Sequence, residues 1–220
     1  MENIFLFTAS GPIPRKHMRD TIENPIPPEK VERHFSGEQL TKLKKIGQQQ
    51  GYYAWGALPG PKNSNTWDAM TEGDHILCYQ SGDYTYYSKV ALKFRNQSFA
   101  QENWGSEDGN TWELAYFLDK PTKLLPPADF SKLKNYLFAN NMGFSKLSVD
   151  KINKILSEYK TIDNFIDKVL KTPKPPLKFW WVCQGSSYQK AVASECLWAP
   201  YKDRSGGTRY HLENIRMVKK

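Results

Sequence analysis

The stretch that decides the fold is GDHILCYQSGDYTYYSKVALKF, residues 73–94. Its apolar run HILCYQ, residues 75–80, is short and follows a Gly-Asp pair, which predicts a buried strand. Turn residues occupy positions 81–83. From residue 84 to residue 94, apolar and polar side chains alternate well enough to predict the returning strand or strands. This stretch therefore predicts a β-hairpin.

Two further apolar segments flank the hairpin. Residues 4–7 form a short apolar run that breaks into a loop, and residues 111–118 have the composition of another strand. Residues 11–37 predict a long connection that contains a short helix, and residues 37–46 predict an amphipathic helix. Because the chain is strand-dominated up to about residue 125, we expect an α+β fold with a small, curved, mostly antiparallel sheet or β-barrel flanked by helices.

The periodicity changes in residues 126–170. Apolar residues recur there at helical spacing in three short segments, and Ser148 is placed to cap the second of these helices. We expect the three helices to form an extension that packs on the sheet. Residues 171–178, KTPKPPLK, have the proline and lysine content of a stiff linker.

The segment that follows the linker, residues 179–220, repeats features of the beginning of the chain. FWWVCQG at residues 179–185 is again a short apolar strand that breaks into a loop, and Trp198 precedes a proline and a Gly-rich loop much as Trp55 does. We interpret this segment as the start of a second, truncated copy of the first domain. The alternative is that both segments are strand-turn-helix units of one domain.

Charge and aromatic content point to a polyanionic ligand. The 220 residues carry a formal net charge of +8 and include 7 Trp and 12 Tyr. A basic chain attracts phosphate backbones, and tryptophan faces stack on bases, so nucleic acid is the favoured partner. The alternative is that the charge only keeps the chain in solution.

Cysteine usage and hydropathy indicate a protein of the cytoplasm. The 3 Cys are far apart and include no C-x-x-C pair, which argues against a disulfide framework and against a zinc site. No apolar run approaches the ~20 residues of a membrane span, so no membrane partner is expected.

Catalytic motifs are absent from the sequence. The 4 His are scattered, none in H-x-x-x-H or H-E-x-x-H spacing, and there is no Walker A, G-x-S-x-G or G-x-G-x-x-G pattern. Glu107-Asp108 lies in a Gly-flanked loop and is typical of a solvated turn. Cys183 and His211 would be a nucleophile pair only if they met, and a cysteine in an apolar strand is usually core. We therefore expect a binding module rather than an enzyme, with no metal ion and no cofactor.

One family contains these features in the same order. A strand is followed by a Trp after a small helix (Trp55), by N-x-W (Asn65 to Trp67), by the Gly-Asp hairpin, and by two more Trp (Trp104 and Trp112). This order resembles the EVE/YTH branch of the PUA-like domains and covers roughly residues 3–120. The expected organisation is a base-reading barrel (1–125), a helical extension (126–170), a linker (171–178) and the partial repeat (179–220).

The resemblance implies a function. In that superfamily a small β-barrel holds a pocket that accepts a modified base flipped out of its strand, and McrB-like restriction proteins carry such a domain before a GTP-hydrolysing AAA+ motor. It implies a reader of methylated DNA, of N6-methyladenine or a modified cytosine, in a modification-dependent restriction system. A motor in the same polypeptide and a nuclease subunit would be its protein partners. The alternative is a reader of methylated bases in single-stranded RNA.

The resemblance also nominates the walls of the pocket. Trp55, followed by the small Gly56, matches the first tryptophan of the base cage. Trp104 matches the second, and its loop-like neighbours predict an exposed pocket wall. Trp112 lies in a strand pattern and is expected in the core, whereas Trp67 is expected to pack beside the pocket.

Polar and basic side chains complete the prediction. The base edge would be read at the end of the first strand by Thr8 and Ser10, with Asn65 as an amide from the loop before a helical turn at residues 66–70. A turn-forming role for that asparagine is an equal alternative. The phosphate contacts are expected from basic residues of the long connection and its helix, each of which is otherwise a solvated surface charge: Arg15, Lys16, Arg19, Lys42, Lys44 and Lys45.

Overall fold

The computed structural model describes residues 2–46, 51–106, 108–124, 133–138 and 141–171. The partial repeat at 179–220 and all of the linker beyond Lys171 lie outside the described residues, so both stay predictions. In the described part, no helix is long and apolar enough to cross a membrane.

The described residues contain seven strands: β1 (Ile4–Thr8), β2 (Tyr53–Ala57), β3 (His75–Gln80), β4 (Asp83–Arg95), β5 (Leu114–Leu118), β6 (Thr122–Lys123) and β7 (Ser145–Lys146). They form one mixed sheet, in the order β2-β5-β4-β3-β1-β7, with β6 pairing to β4. Strands β1 and β3 are parallel, with Ile4 opposite His75, and the other ladders are antiparallel. The predicted hairpin is confirmed as β3 and β4.

The helices lie between the strands and after them, so the α+β class is confirmed. They are α1 (Pro12–Met18), continued by a π-helical segment (Arg19–Glu23), α2 (Pro28–Glu32), α3 (Gly37–Ile46), α4 (Pro61–Asp68), α5 (Gln97–Trp104), α6 (Val149–Tyr159) and α7 (Ile162–Phe165), continued by a second π-helical segment (Ile166–Leu170). The residue before α6 is Ser148, as predicted, although its side chain makes no capping hydrogen bond.

Strand β4 carries the bend of the sheet. Its first half pairs with β3 and β6, and its second half pairs with β5. The register shifts between Cys78 and Tyr79 on the β3 side and between Val90 and Leu92 on the β5 side. Such irregularities increase local twist and bending, which lets one 13-residue strand serve two differently oriented halves of the sheet.

The sheet curls until its distant strands meet. In a flat sheet, β1 and β2 would lie about 19 Å apart, because four inter-strand steps of ~4.8 Å separate them. The rings of Phe7 on β1 and Trp55 on β2 are instead 4.6 Å apart.

The described strands do not close into the small β-barrel that the sequence predicts. They make no ladder that joins β2 to β7, so the hydrogen-bonded sheet is open. Beside the edge strand β2, the chain makes only an isolated bridge between Ile26 and Tyr52, and that bridge takes up backbone groups that a closing strand would need.

Alternation along β1 divides the core. Phe5 and Phe7 face what we call the inner cluster, which the curled sheet encloses together with Met18 and Ile22 of the first helical segment. Ile4 and Leu6 face the opposite side and pack in the helix-side cluster, with α6, α7 and the second π-helical segment. A third core, the α5-side cluster, lies behind β2, β5 and the second half of β4.

Candidate functional site

Trp55 lies in the inner cluster, in the middle of β2. Its side chain is 2% exposed, packs on the ring of Phe7 at 4.6 Å and meets the ring of Trp112 edge-on at 5.4 Å. Aromatic pairs at such distances add stability beyond their buried area. The first nominated wall is therefore closed over by its own neighbours in this structure.

Trp104 differs from its sequence prediction. It ends helix α5 instead of standing in a loop, and it is 8% exposed instead of forming an exposed wall. Asn96 caps this helix by accepting from the backbone N–H of Phe99, and Phe99 and Trp104 then pack edge-on at 5.5 Å. The capping asparagine and the buried spacing of Phe99, Ala100 and Trp104 are the signals that predict this helix.

Gly56 fits between two tryptophans. A Cβ atom at Gly56 would lie 2.8 Å from Cζ3 of Trp104 and 2.4 Å from the backbone oxygen of Trp112. Only a residue without a side chain allows this approach. The structure therefore places Gly56 against Trp104 and Trp112. Trp112 is half-buried and precedes β5 instead of lying within it.

His17 lies among these three tryptophans, and the sequence analysis missed it. Its ring centroid is 4.6 Å from that of Trp112, 6.2 Å from that of Trp104 and 6.5 Å from that of Trp55, and the residue is 2% exposed. Nε2 lies 3.1 Å from the backbone oxygen of Trp104. Burial lowers the pKa of His17 below the ordinary 6.5, so the ring is neutral at neutral pH.

Three buried polar atoms around this cluster have no hydrogen-bond partner within the described part of the protein. They are Nδ1 of His17, Nε1 of Trp112 and Oη of Tyr116. Tyr116 pairs with Trp55 across the β2–β5 ladder and faces the same cluster, and burial raises the pKa of its hydroxyl, which stays protonated. An unpaired buried polar atom costs about 1–3 kcal/mol, and a polar ligand that bonded to these groups would remove that cost.

A shallow surface crevice lies beside this cluster. Phe7, Ile22, Tyr86 and Leu118 are among the side chains that line it. Phe7 is therefore shared, since its ring also packs on Trp55.

The other nominated pocket residues differ in their contacts and exposure. The hydroxyl of Thr8 donates to the backbone oxygen of Asn141 at 2.8 Å, so it is already engaged. Ser10 is exposed after β1. Trp67 is half-buried beside the inner cluster, and its Nε1 donates to the backbone oxygen of Ala115 at 3.1 Å.

Asn65 lies on a helix, not in the predicted loop. Helix α4 begins at Pro61, four residues before Asn65, because proline suits the first turn of a helix. The predicted helical turn at 66–70 is thus the end of a longer helix. Asn65 is exposed there, two residues before Trp67.

The nominated phosphate contacts are all exposed and fall into two groups. Arg15, Lys16 and Arg19 lie on α1 and the π-helical segment after it, and the other three lie on α3. The exposed lysines mostly pair with carboxylates: Lys16 with Asp20 at 2.8 Å, Lys42 with Glu38 at 3.1 Å and Lys44 with Glu32 at 3.4 Å.

The positive charge is unevenly distributed along the chain. Residues 172–220 hold 9 Lys and Arg against 3 Asp and Glu, which accounts for six of the eight net charges. The first 171 residues are close to neutral overall. Most of the net positive charge that would attract a polyanion therefore lies outside the described residues.

One group of side chains has the composition of a metal site. Ligand atoms of Glu2, His75 and Asp163 lie within 4.8 Å of one another. Nδ1 and Nε2 of His75 already meet the hydroxyl of Tyr87 and the carboxylate of Glu2, and Lys89 pairs with Asp163 at 3.0 Å. The ammonium group of Lys89 already supplies a positive charge to the Asp163 carboxylate. We therefore interpret this group as a hydrogen-bonded network.

Comparison with known proteins gives a fold. No family model and no curated protein matches the sequence. The N-terminal domain of Thermococcus gammatolerans McrB, solved bound to m5C DNA, superimposes with a TM-score of 0.54 at 14% identity, covering 72% of this chain and 98% of that one. This chain has the fold of that McrB domain.

Two other structures with weaker superpositions were also found. Human THYN1, in complex with 5-methylcytosine-containing DNA, gives a TM-score of 0.38 at 16% identity, over 71% of this chain and 97% of that one. The YTH domain of Zygosaccharomyces rouxii MRB1, in complex with N6-methyladenosine RNA, gives 0.30 at 12% identity, over 76% and 92%. These two TM-scores are below 0.5, so the fold is assigned from the likeness to the McrB domain.

Proposed function

We propose that this chain is a DNA-binding module that flips a methylated base out of the duplex and holds it in the aromatic cluster around Trp55 and Trp104. The observation that carries the proposal is the set of unpartnered buried atoms on His17, Trp112 and Tyr116, within a ring of tryptophans. It is supported by the fold shared with a McrB domain that was solved bound to m5C DNA.

The chemistry of the cluster suits a flipped base. Stacking of a base on an aromatic side chain contributes about 1–3 kcal/mol, which offsets the few kcal/mol needed to unstack it from the duplex. In our proposal, the base enters between Trp55 and Trp104, over Gly56, and displaces the aromatic contacts that close the site. Trp67 supports the pocket from the side, and Thr8, Ser10 and Asn65 lie at its rim.

Phosphate binding is assigned to the two groups of exposed basic residues. An exposed lysine-carboxylate pair contributes little to stability, so its lysine can exchange the carboxylate for a phosphate at small cost. Each phosphate contact releases counterions and steepens the dependence of affinity on salt. Replacing Arg15, Lys16 and Arg19 with glutamine would reduce that slope by about 1 per lost contact; the same change at Lys42, Lys44 and Lys45 tests the second group.

The decisive experiment compares affinities for one duplex with and without 5-methylcytosine or N6-methyladenine, at about 50 and 200 mM salt. Tighter binding of a methylated duplex, and weaker binding of all duplexes at high salt, is expected. Equal affinity for methylated and unmethylated duplexes overturns base reading, and affinity indifferent to salt overturns nucleic-acid binding. Single-stranded RNA with the same modification, bound more tightly than DNA, would make the chain an RNA reader.

The proposed context is a modification-dependent restriction system, with a GTP-hydrolysing motor and a nuclease as protein partners. The support is the sequence resemblance together with the McrB-domain fold. Purification of the native protein from its own cells, followed by GTP hydrolysis and nuclease assays with methylated DNA, tests it. A preparation with neither activity contradicts this part of the proposal and leaves base reading standing.

A further inference from the structure

We propose that His17 determines which bases the site accepts, because its Nδ1 accepts a hydrogen bond from an exocyclic amino group. The ligand class is then a base with an amino group at the 4-position of a pyrimidine or the 6-position of a purine. Thymine, which carries an oxygen there, is excluded. This inference rests on the proposed function and names the substrate class of the same site.

The hydrogen bond to Trp104 fixes the tautomer of His17. A carbonyl oxygen only accepts, so Nε2, 3.1 Å from the backbone oxygen of Trp104, carries the proton and donates it. In the neutral ring, Nδ1 is then an acceptor with a free lone pair. No group in the described part of the protein donates to it.

The ring is held in place from its own helix and from α5. The hydroxyl of Thr21 donates to the backbone oxygen of His17 at 2.9 Å, and Nε1 of Trp104 reaches that same hydroxyl at 3.4 Å. Together with the bond from Nε2, these contacts tie α1, the π-helical segment and the end of α5 to one another. An acceptor held this firmly discriminates between ligands, since it cannot turn away from a mismatched group.

The neighbouring indole supplies the complementary donor. Nε1 of Trp112 only donates, is buried without a partner, and belongs to a ring 4.6 Å from that of His17. Cytosine and adenine each present an amino N–H beside a ring nitrogen that accepts. An acceptor on His17 and a donor on Trp112, on rings whose centroids are 4.6 Å apart, supply the two partners that this edge needs.

A base with a keto oxygen at this position cannot donate a hydrogen bond to Nδ1. In thymine an oxygen replaces the amino group, and its lone pairs would face the lone pair of Nδ1. Buried polar groups left unpaired in this way are what allow a site to reject a ligand that lacks the matching hydrogen. The loss of one such bond corresponds to a factor of about 10–100 in affinity.

The test uses two bases that share the methyl group and differ at this edge. 5-Methylcytosine and thymine are placed at one position, each opposite an abasic site so that neither is paired, and binding by the full chain is measured. We expect 5-methylcytosine to bind about 10- to 100-fold more tightly. If N6-methyladenine is the base bound, N6-methyladenine with one N–H and N6,N6-dimethyladenine with none form the equivalent pair.

The variants are His17→Gln and, as a control elsewhere in the chain, His34→Gln. The amide nitrogen of the glutamine keeps a donor for the Trp104 oxygen, and the amide oxygen is then bonded to the carbon in the place of Cδ2, which leaves no acceptor at the position of Nδ1. His17→Gln should abolish the preference between the paired bases, and His34→Gln should retain it. If His17→Gln does not fold, the native chain is tested with 5-methyl-2-pyrimidinone, which keeps the methyl group and ring nitrogen but lacks the amino group. Binding of this base as tightly as 5-methylcytosine overturns the assignment.

The two proposals fail in different ways. A native chain that prefers 5-methylcytosine to cytosine but binds thymine equally well retains the proposed function and loses the role of His17. A folded His17→Gln variant that still prefers 5-methylcytosine to thymine likewise retains the proposed function and overturns the role of His17. A native chain that does not distinguish any modified base from its unmodified form overturns the proposed function itself.

Discussion

Two buried histidines, one on each side of the sheet, show how the two regions differ. His75, at the start of β3, is 0% exposed, and both of its ring nitrogens have partners: the hydroxyl of Tyr87 at 2.9 Å and the carboxylate of Glu2 at 3.2 Å. His17, 2% exposed, has a partner for Nε2 and none for Nδ1. Burial lowers the pKa of both residues.

The tyrosines around the two histidines differ in the same way. In the helix-side cluster, the hydroxyl of Tyr84 donates to the backbone oxygen of Phe138 at 2.8 Å, and the hydroxyl of Tyr87 meets His75. In the inner cluster, the hydroxyl of Tyr116 has no partner. Within the described residues, the unpaired buried polar atoms on His17, Trp112 and Tyr116 thus lie in or against the inner cluster. The two histidines are alike in burial and differ in the pairing of their ring nitrogens.

The largest effect is expected at Trp104, where the inner cluster meets the α5-side cluster. Trp104→Ala should lower the free energy of unfolding by about 3–5 kcal/mol, since the change leaves a large cavity against Phe99 and Gly56. Denaturant unfolding measures it. Half-buried Trp67 is the control, and Trp67→Ala should cost less. A loss below about 1 kcal/mol at Trp104 would restore the exposed wall that the sequence predicted.

The next effect tests the fit of Gly56. Gly56→Ala should lower the free energy of unfolding by about 1–3 kcal/mol, because the new methyl group meets the backbone oxygen of Trp112 and the ring of Trp104. Gly60→Ala is the matched control, since a Cβ atom there meets nothing within 4 Å. Equal unfolding free energies for the two variants would show that Trp104 moves freely away from β2.

A matched pair of tyrosines tests the comparison most directly. Tyr87→Phe removes the partner of a buried histidine nitrogen and should cost about 1–2 kcal/mol. Tyr116→Phe removes a buried hydroxyl that has no partner within the described residues, so the free energy of unfolding should rise, by about 1–3 kcal/mol. Both are measured by denaturant unfolding. A loss at Tyr116 equal to that at Tyr87 would mean that the hydroxyl of Tyr116 is already bonded, and the contrast between the clusters would not hold.

Local pattern predicted most of the strands. The hairpin at residues 73–94, the strand at residues 4–7 and the helix at residues 37–46 all depend on periodicity and turn residues, which neighbouring positions determine. The order of the strands and the open edge do not, because they depend on pairings between distant segments such as β1 with β3. The bend in β4 likewise depends on two register shifts that composition does not indicate.

The candidate site was half predicted, for the same reason. Trp55 and Gly56 were found because their local sequence fits a known order of motifs. His17 was missed because it lies in a basic segment without apolar alternation, and its importance comes from contacts with Trp104 and Trp112, about 90 residues away along the chain. The sequence predicts a loop at Trp104 because Gly105 and Ser106 follow it. The helical spacing before Trp104 is the pattern that agrees with the structure.

The smallest effect is a dependence of stability on pH. The folded-state pKa values of His17 and His75 lie below the ordinary 6.5, so the unfolded chain binds protons at a higher pH than the folded chain does. The stabilisation that the two neutral histidines contribute is therefore fully present above pH 6.5. It is lost as the pH falls from 6.5 towards their folded-state pKa values. The thermal midpoint should be lower at pH 5.5 than at pH 7.5, and histidine NMR titrations should show both midpoints below 6.5.

The stability depends on the protonation of both histidines, whereas the base preference should depend on that of His17 alone. Besides burial, Lys16 lowers the pKa of His17 and Asp20 raises it. Protonation places a hydrogen on Nδ1 and turns the acceptor into a donor, so the preference for 5-methylcytosine over thymine should weaken as His17 titrates. His75 has no such role, because both of its nitrogens are engaged away from the tryptophans. A preference that follows the NMR midpoint of His75 instead of that of His17 would contradict this account.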